Sequence, residues 1–262
     1  MIITKSPREV KLMKEAGRIV ATVFEQLGPK CKPGVSTWEL DQLAGKIIRS
    51  EGATPTFLGY GGFPGNICIS VNDTLIHGIP SKDIILKEGD VISLDVGATK
   101  DGYIADAART FPVGEISPEA EALIEATEAS FWNAVINYAK PGGYVGDISH
   151  AIQSYLEPKG YGVPREYAGH GVGVKLHEDP FVPNYGYEGS GPRLRVGMTL
   201  AIEPMVTLGS RATYVLDDEW TVKTLDGKLS AHYENTIVIT EDGFEVLTVL
   251  DEKELKKWQE QM

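Results

Sequence analysis

The chain contains 262 residues, of which 42% are hydrophobic and 24% are charged, a composition typical of folded globular proteins. It has 25 lysines and arginines and 37 aspartates and glutamates, which gives a formal net charge of −12. Because nonspecific nucleic-acid binding depends on neutralising phosphates, this acidic balance argues against a nucleic-acid partner. A chain of this length is expected to form one large domain or two small ones.

Cysteine content and hydropathy indicate the compartment. Two cysteines, Cys31 and Cys68, are too few for a disulfide framework, so we expect free thiols in a reducing compartment. Residues 1–7 carry no basic stretch followed by an apolar one, and no run of about 20 apolar residues occurs in the chain. We therefore expect a cytoplasmic protein with no membrane partner.

The chain opens with two predicted amphipathic helices. Ser6-Pro7-Arg8-Glu9 combines a capping hydroxyl, a proline at the first helical position and a glutamate three residues after the cap. Apolar residues then recur at helical spacing as far as Leu27. After a turn at Lys32-Pro33-Gly34, a second capping box at Ser36-Thr37-Trp38-Glu39 precedes another apolar stripe, which Gly52 closes.

A β-hairpin carrying two aspartates is predicted next. Alternation from Asp90 to Ala98 separates the apolar face from the face that carries Asp95, and Lys100-Asp101-Gly102 is a turn signal. The return strand, Tyr103 to Phe111, carries Asp106. With a two-residue loop, Asp95 and Asp106 lie opposite or diagonal to each other on one face, whereas a longer loop or a bulge would separate them.

The residues on either side of these aspartates are apolar, which indicates that the aspartates themselves are buried. Two ionised carboxylates side by side repel each other unless a cation or a proton lies between them. A pair of solvated surface aspartates is the alternative. Because the neighbouring residues look buried, we favour a metal site.

The same order of helix, turn and helix recurs in the second half, where Lys140 of the turn lies 108 residues after Lys32 of the first turn. Ser117-Pro118-Glu119 opens a third helix that runs to Tyr138, Lys140-Pro141-Gly142 makes the turn, and a fourth apolar stripe follows. The segment that ends at Glu203 also resembles the one that ends at Asp95, again with an offset of 108 residues. A shared offset in two places predicts two related halves about a pseudo-twofold axis, and coincidence between short strings is the alternative.

The second half supplies further candidate ligands. Glu203 ends an apolar run and Glu234 leads into another, so each acid lies at the edge of a predicted buried strand. His170 lies in Gly169-His170-Gly171-Val172-Gly173, where we expect a tight loop that approaches a ligand, and His177 follows seven residues later. A hydrogen-bonded structural histidine is the alternative at each position, and the HExxH zinc motif is absent.

Charge counting favours a two-metal site. The carboxylates of Asp95, Asp106, Glu203 and Glu234 would offset two divalent cations, with a neutral imidazole from His170. Oxygen ligands with one nitrogen suit Mn, Fe(II), Co or Zn without choosing among them. Two such ions about 3.5–4 Å apart lower the pKa of a shared water and polarise a carbonyl, which predicts metal-assisted hydrolysis of an amide.

The motifs match a known family. Through His77-Gly78-Ile79-Pro80, Asp95-Val96-Gly97, Asp106, Gly169 to Gly173, Glu203-Pro204-Met205 and Glu234-Asn235-Thr236, the chain resembles type I (bacterial-type) methionine aminopeptidases of metallopeptidase family M24 along nearly its whole length. The resemblance implies an α/β "pita-bread" fold. In this fold a mainly antiparallel curved sheet lies between pseudo-twofold related halves, about 1–115 and 116–262, of a single catalytic domain, 1–262.

The resemblance also assigns residues to roles. The metal ligands would be Asp95, Asp106, His170, Glu203 and Glu234, of which Asp106 and Glu234 bridge the two ions. His177 would bind the scissile carbonyl or its oxyanion, His77 would lie near the scissile amide as a proton-transfer group, and Glu203 is a further acid/base candidate. The pocket for methionine would be lined by Phe57, Tyr60, Phe63, Cys68, His77, Leu176, His177 and Trp220. Family members often carry Cys at Phe57, Tyr at Phe63 and Phe at Leu176, so pocket width is the property in which this chain would differ.

The implied function is a methionyl aminopeptidase that removes the N-terminal methionine from nascent polypeptides when the second residue is small. The nucleophile would be a water or hydroxide that bridges two divalent ions (Co, Mn, Fe(II) or Zn). We expect a monomer, with the ribosome as a candidate partner beyond the nascent peptide.

Three other classes of protein fit the sequence less well. Aminopeptidase P and prolidase share the fold but carry a sizeable N-terminal domain, and type II methionine aminopeptidases carry an insertion that we do not find. A binding protein that has lost catalysis would lack some of the five ligands, and all five are present.

Overall fold

The computed structural model describes residues 1–261, and five α-helices lie in that part of the chain. Their bounds are α1 Pro7–Leu27, α2 Thr37–Ser50, α3 Pro118–Tyr138, α4 Val145–Leu156 and α5 Lys253–Gln261. The predicted capping boxes are confirmed: the Ser6 and Ser36 hydroxyls accept from the backbone N–H groups of Glu9 and Glu39, whose carboxylates bond back. Over residues 1–261, no helix has the length and apolar character needed to cross a bilayer.

Fourteen strands, all paired antiparallel, are present in the described residues. Their bounds are β1 Thr54–Pro55, β2 Cys68–Val71, β3 Thr74–Ile76, β4 Val91–Lys100, β5 Tyr103–Pro112, β6 Ala168–Gly171, β7 Glu178–Pro183, β8 Thr199–Ile202, β9 Met205–Thr207, β10 Thr213–Val215, β11 Val222–Thr224, β12 Ser230–His232, β13 Glu234–Thr240 and β14 Gly243–Val246. Nine of them form the main sheet, in the order β1-β4-β5-β13-β8-β6-β7, with β2 on β4 and β14 on β13. Strands of the first half and strands of the second half meet at the β5–β13 pair.

The predicted hairpin is confirmed, and its loop has two residues, the alternative that keeps both aspartates on one face. Lys100 pairs with Tyr103, and the loop residues Asp101 and Gly102 both have positive φ, as a tight hairpin turn requires. Asp95 pairs with Ala108, two residues from Asp106. The two aspartates therefore lie on a diagonal of the same face of the sheet.

The second half repeats this arrangement with an interruption. Strands β8 and β13 pair antiparallel, with Ile202 opposite Asn235, so Glu203 and Glu234 meet at one end of the pair. Between the two strands, the chain makes the excursion β9–β12 instead of a tight turn. Two carboxylates from each half thus reach the same region of the sheet.

The predicted tight loop at His170 is wrong, because residues 168–171 form β6, which pairs with both β7 and β8. Gly169 and Gly171 serve the packing of strands rather than the approach of a ligand. A Cβ at Gly169 would collide with the Ala201 carbonyl, and one at Gly171 would collide with the Asp179 carbonyl. The glycines let neighbouring backbones come close, and His170 projects from the sheet between them.

Apolar side chains pack in separate clusters on the two halves. One cluster joins α1 and α2 to β4 and β5, and the other joins α3 and α4 to β8 and β13. A third cluster contains Phe57, Phe63, Cys68 and Leu176, which the sequence assigned to a substrate pocket. Cys31 and Cys68 are buried free thiols, as expected.

Candidate metal centre

The four predicted acidic ligands and His170 converge on one buried site. Nε2 of His170 lies 3.6 Å from Oε1 of Glu203 and 3.9 Å from Oδ2 of Asp106. Ligand atoms of Asp106, His170 and Glu234 all lie within 4.8 Å of one another, a spacing that fits a shared metal ion. His170 is oriented by a 2.8 Å contact between its Nδ1 and its neighbour's carbonyl, that of Gly171, so Nε2 faces the acids.

Several carboxylate oxygens at this site lack a hydrogen-bond partner. Oδ1 of Asp95, Oδ1 of Asp106 and Oε1 of Glu234 are buried and unpaired. A buried, unpartnered carboxylate oxygen is strongly destabilising, and pairing with a cation removes that cost. The donor set of oxygens with one imidazole nitrogen therefore fits divalent cations, as charge counting predicted.

Burial raises the pKa of every acid in the cluster, and repulsion adds to the rise at three of them. Desolvation is the largest cause at Asp95, Glu203 and Glu234, and the negative charge of Asp106 adds to it in each case, holding each pKa well above its usual range. Burial raises the pKa of Asp106 to about 7. Because metal ligands must be deprotonated, a metal ion and protons would compete for these raised-pKa acids.

Imidazoles around the cluster are held in the neutral form. Burial lowers the pKa of His77 and of His170 to about 4, and it lowers the pKa of His177 as well. The rings of His170 and His177 lie with centroids 4.3 Å apart, and Nδ1 of His177 is 2.7 Å from the phenol oxygen of Tyr60. Neutral imidazoles can ligate metals or exchange single hydrogen bonds with a substrate.

His77 occupies a backbone conformation that few side chains adopt. Its φ of 58° lies in the left-handed region, at the end of β3. The next residue, Gly78, is fixed by its N–H, which donates to Ser70 Oγ, and by its carbonyl, which accepts from Ile69. The ring of His77 is thereby directed toward Trp220, edge to face with centroids 6.3 Å apart. Strain of this kind concentrates at functional sites.

All thirteen predicted site residues line a single cavity of about 130 Å³. One part carries the acids and His170, and the other carries the side chains assigned to the methionine pocket: Phe57, Tyr60, Phe63, Cys68, His77, Leu176, His177 and Trp220. A larger open groove of about 940 Å³ shares His77, His170, His177 and Glu203 with this cavity. Within the small cavity, the apolar part is thus a pocket next to the acids. The groove connects this cavity to the surface.

The apolar part of the cavity is built from aromatic rings. Phe63 meets Trp220 edge to face with centroids 5.2 Å apart, and the Phe57 ring lies against the backbone of Gly97, where a Cβ would clash with it. Cys68 lies opposite Asp95 in the sheet, and burial holds the pKa of its thiol well above its usual range. A thiol in this environment is a pocket wall and not a nucleophile.

His232 is a site residue that the sequence reasoning did not identify. Its Nε2 lies 3.4 Å from Oε2 of Glu203 and 3.8 Å from Oε2 of Glu234, so these three side chains form a second possible ligand group. Its position two residues before Glu234 could have predicted it, because alternate residues of an extended chain lie on the same face.

The loop that carries His177 is held by a buried ion pair. Lys5 Nζ lies 2.5 Å from Oε2 of Glu178, and the two side chains are 2% and 8% exposed. The other carboxylate oxygen of Glu178 accepts from the N–H groups of Val174 and Lys175. The residues just before His177 are therefore fixed through Glu178 to the N-terminal segment.

Comparison with known proteins shows one consistent relationship. Residues 11–241 match the model of metallopeptidase family M24. The "Methionine aminopeptidase 1" of Bacillus subtilis is 55% identical over 95% of this chain and 99% of its own length. The crystal structure of a methionine aminopeptidase from Thermotoga maritima is 45% identical and superposes with a TM-score of 0.93, covering 95% of this chain and all of that one. A prolidase from Pyrococcus furiosus, 23% identical with a TM-score of 0.75, shares the fold over 95% of this chain and 66% of its own.

Proposed function

The chain belongs to metallopeptidase family M24, and on that premise we propose that it hydrolyses the amide bond after an N-terminal methionine when the next residue is small. The observation that carries the proposal is the single cavity in which an aromatic-lined pocket adjoins a buried cluster of carboxylates and imidazoles. A thioether is polarizable and packs favourably against aromatic rings. The relatives named above carry the same activity in their names.

The proposed metal ligands are Asp95, Asp106, His170, Glu203 and Glu234, which would hold two divalent ions. Their charges balance two such ions, and their unpaired buried oxygens are supporting evidence. The ligand chemistry is compatible with Co, Mn, Fe(II) or Zn. When bound, these ions would supply the polarising charge and the activated solvent nucleophile that amide hydrolysis needs.

The chain's own side chains would orient the peptide for this chemistry. If the Tyr60 hydroxyl donates to Nδ1 of His177, the hydrogen of the neutral imidazole lies on Nε2, where it can donate to the carbonyl oxygen of the scissile bond. Such a donor stabilises the negative charge that develops on this oxygen. His77 lines both the pocket and the groove and would exchange a proton with the amide nitrogen, and Glu203 is a second candidate for proton transfer.

The shape of the cavity supports action at a chain terminus. The pocket is small and partly enclosed, whereas the groove is open, so one side chain would enter the pocket and the remaining peptide would leave along the groove. We further propose that the protein works in the cytoplasm as a monomer on nascent peptides, with the ribosome as a candidate partner.

Peptide hydrolysis by the metal-loaded protein tests the proposal. Met-Ala-Ser should be cleaved to methionine and Ala-Ser, Met-Leu-Ser should be cleaved far more slowly, and Ala-Pro peptides should remain intact. Asp95→Asn should abolish cleavage, whereas Asp83→Asn, at an exposed position outside the site, should match the parent. Preferential cleavage of Xaa-Pro peptides, or full activity in Asp95→Asn, would overturn the proposal.

A further inference from the structure

Glu203 lies between two imidazoles, and each of its oxygens faces one of them. Oε1 lies 3.6 Å from Nε2 of His170, and Oε2 lies 3.4 Å from Nε2 of His232. His170 stands on the side of the cavity and the other acids. His232 is not among the residues that line the cavity, so it reaches Glu203 from outside it. The carboxylate is therefore contacted on both sides by nitrogen.

Nε2 of His232 has no hydrogen-bond partner in the described structure. The side chain is 2% exposed, and Nε2 is among the buried atoms that lack a partner. An N–H···O hydrogen bond closes at about 2.9–3.0 Å, so an approach of a few tenths of an ångström would join Nε2 to Glu203 Oε2. A buried polar atom of this kind needs a partner, and this oxygen is the closest carboxylate atom to it.

The backbone holds His232 rigidly beside Glu203. Its N–H donates to Oγ1 of Thr110 at 3.0 Å, and its carbonyl accepts from the same hydroxyl at 2.9 Å. Strand β12 places His232 opposite Met205 in β9, and the N–H of Tyr233 donates to the Pro204 carbonyl at 3.1 Å. The segments that carry the imidazole and the carboxylate are thus tied together by strand pairing.

We infer that His232 is a positioning residue that donates Nε2–H to Oε2 of Glu203 and so holds Oε1 toward His170, beside which Glu203 would ligate a cation. The inference rests on the metal centre of the proposed function and adds a residue to it. Groups that orient a ligand change metal affinity about 10–100-fold when they are removed. Direct ligation by His232 is the competing role, since Glu234 Oε2 lies 3.8 Å away.

Three variants separate a donor from a packing residue and from a ligand. His232→Gln keeps an N–H donor of similar reach, His232→Asn keeps the same amide one methylene shorter, and His232→Ala removes the donor. His150→Gln is the matched control. His150 lies on α4, forms hydrogen bonds with the Gly186 carbonyl and the Ser154 hydroxyl, and does not touch the site. Mn²⁺ binding to the metal-free proteins is measured by calorimetry, and the folding of each variant is checked by its Tm.

Mn²⁺ affinity should fall about 10–100-fold in His232→Asn and His232→Ala and remain within about threefold of the parent in His232→Gln and His150→Gln. Loading ¹⁵N-histidine-labelled protein with ¹¹³Cd²⁺ should give metal–nitrogen coupling at His170 and not at His232. Parental affinity in His232→Asn, failure of His232→Gln to restore affinity, or coupling at His232 would overturn the inference. A parent protein that binds no divalent ion would overturn the proposed metal centre itself, which keeps the two failures distinct.

Discussion

The phenol oxygen of Tyr60 lies 2.7 Å from Nδ1 of His177, and this hydrogen bond links a pocket wall to the imidazole proposed to meet the scissile carbonyl. Tyr60 precedes a turn in which Gly61 has a φ of 54°, and its ring lies 5.4 Å from that of His177 between centroids. The contact restrains the orientation of the imidazole, and with the hydroxyl as donor it leaves the imidazole hydrogen on Nε2. It therefore connects the shape of the pocket to the chemistry beside it.

Loss of the Tyr60 hydroxyl should weaken catalysis without closing the pocket. Tyr60→Phe keeps the ring and removes a hydrogen bond of about 1 kcal/mol, so kcat on Met-Ala-Ser should fall about fivefold. KM should change little because the apolar wall remains. Steady-state kinetics check this, with Tyr214→Phe, at an exposed tyrosine outside the cavity, as the control. A change confined to KM would show that the hydroxyl binds substrate instead.

Removal of the His177 imidazole should act on the transition state. His177→Ala should lower kcat by about 10²–10³, the scale for removing one donor to a developing oxyanion. Because Tyr60 would then have no imidazole to orient, Tyr60→Phe should cost little more in the His177→Ala background. The kinetics of the two single variants and the double variant measure this coupling. Additive losses would mean that the two side chains act separately.

Stability of the metal-free protein should depend on pH through the acid cluster. Burial raises the pKa of Asp106 from 3.8 to about 7, so between about pH 4 and pH 7 the unfolded chain releases a proton that the folded chain keeps. This contribution to stability is fully present below the unfolded pKa and is lost as pH rises through the folded one. The buried histidines, whose pKa values are lowered, act in the opposite direction below about pH 6.5.

Comparison with Asp106→Asn isolates the carboxyl from the histidines. The parent should lose stability relative to Asp106→Asn as pH rises from about 4 to 7, and added Mn²⁺ should stabilise the parent more at the upper end because the ligands must deprotonate. Urea unfolding of chelator-treated protein at several pH values measures both effects. Asp83→Asn, at a surface aspartate, should run parallel to the parent. Equal pH dependence in all three proteins would contradict the assignment.

The sequence predicted the first half of the site better than the second. The alternation of apolar and polar residues and a two-residue turn together place Asp95 and Asp106 on a diagonal of one face. Strand geometry alone determines which side chains share a face. The meeting of Glu203 with Glu234 depends on pairing across the excursion β9–β12, which no local pattern encodes. Only the offset of 108 residues indicated it.

The wrong prediction of a loop at His170 and the omission of His232 also result from contacts that only the tertiary structure shows. Glycines at 169 and 171 indicated a loop, but here they make room for the carbonyls of adjacent strands, a contact that depends on tertiary structure. The sequence motifs did not include His232. It lies two residues before Glu234, however, so both side chains are on the same face of an extended chain. The roles of the thirteen predicted site residues stay predictions, and the structure contributes their convergence on one cavity.

The last prediction concerns the buried ion pair of Lys5 and Glu178, which holds the loop before His177. Lys5→Met leaves the Glu178 carboxylate buried without its cation, and removing one partner of a buried pair costs about 3–5 kcal/mol. Lys14→Met is the matched control, because its ion pair with Glu245 is nearly half exposed and should contribute no more than about 1 kcal/mol. Chemical unfolding measures both variants.

The pair should also couple to catalysis through the loop. Glu178 accepts from the N–H groups of Val174 and Lys175, so a loosened Glu178 should let His177 move and lower kcat in Lys5→Met. Adding Glu178→Gln to Lys5→Met should cost less stability than the two single losses combined, because the unpaired charge is then removed. Equal free energies of unfolding for Lys5→Met and Lys14→Met would show that the pair does not hold the loop in solution.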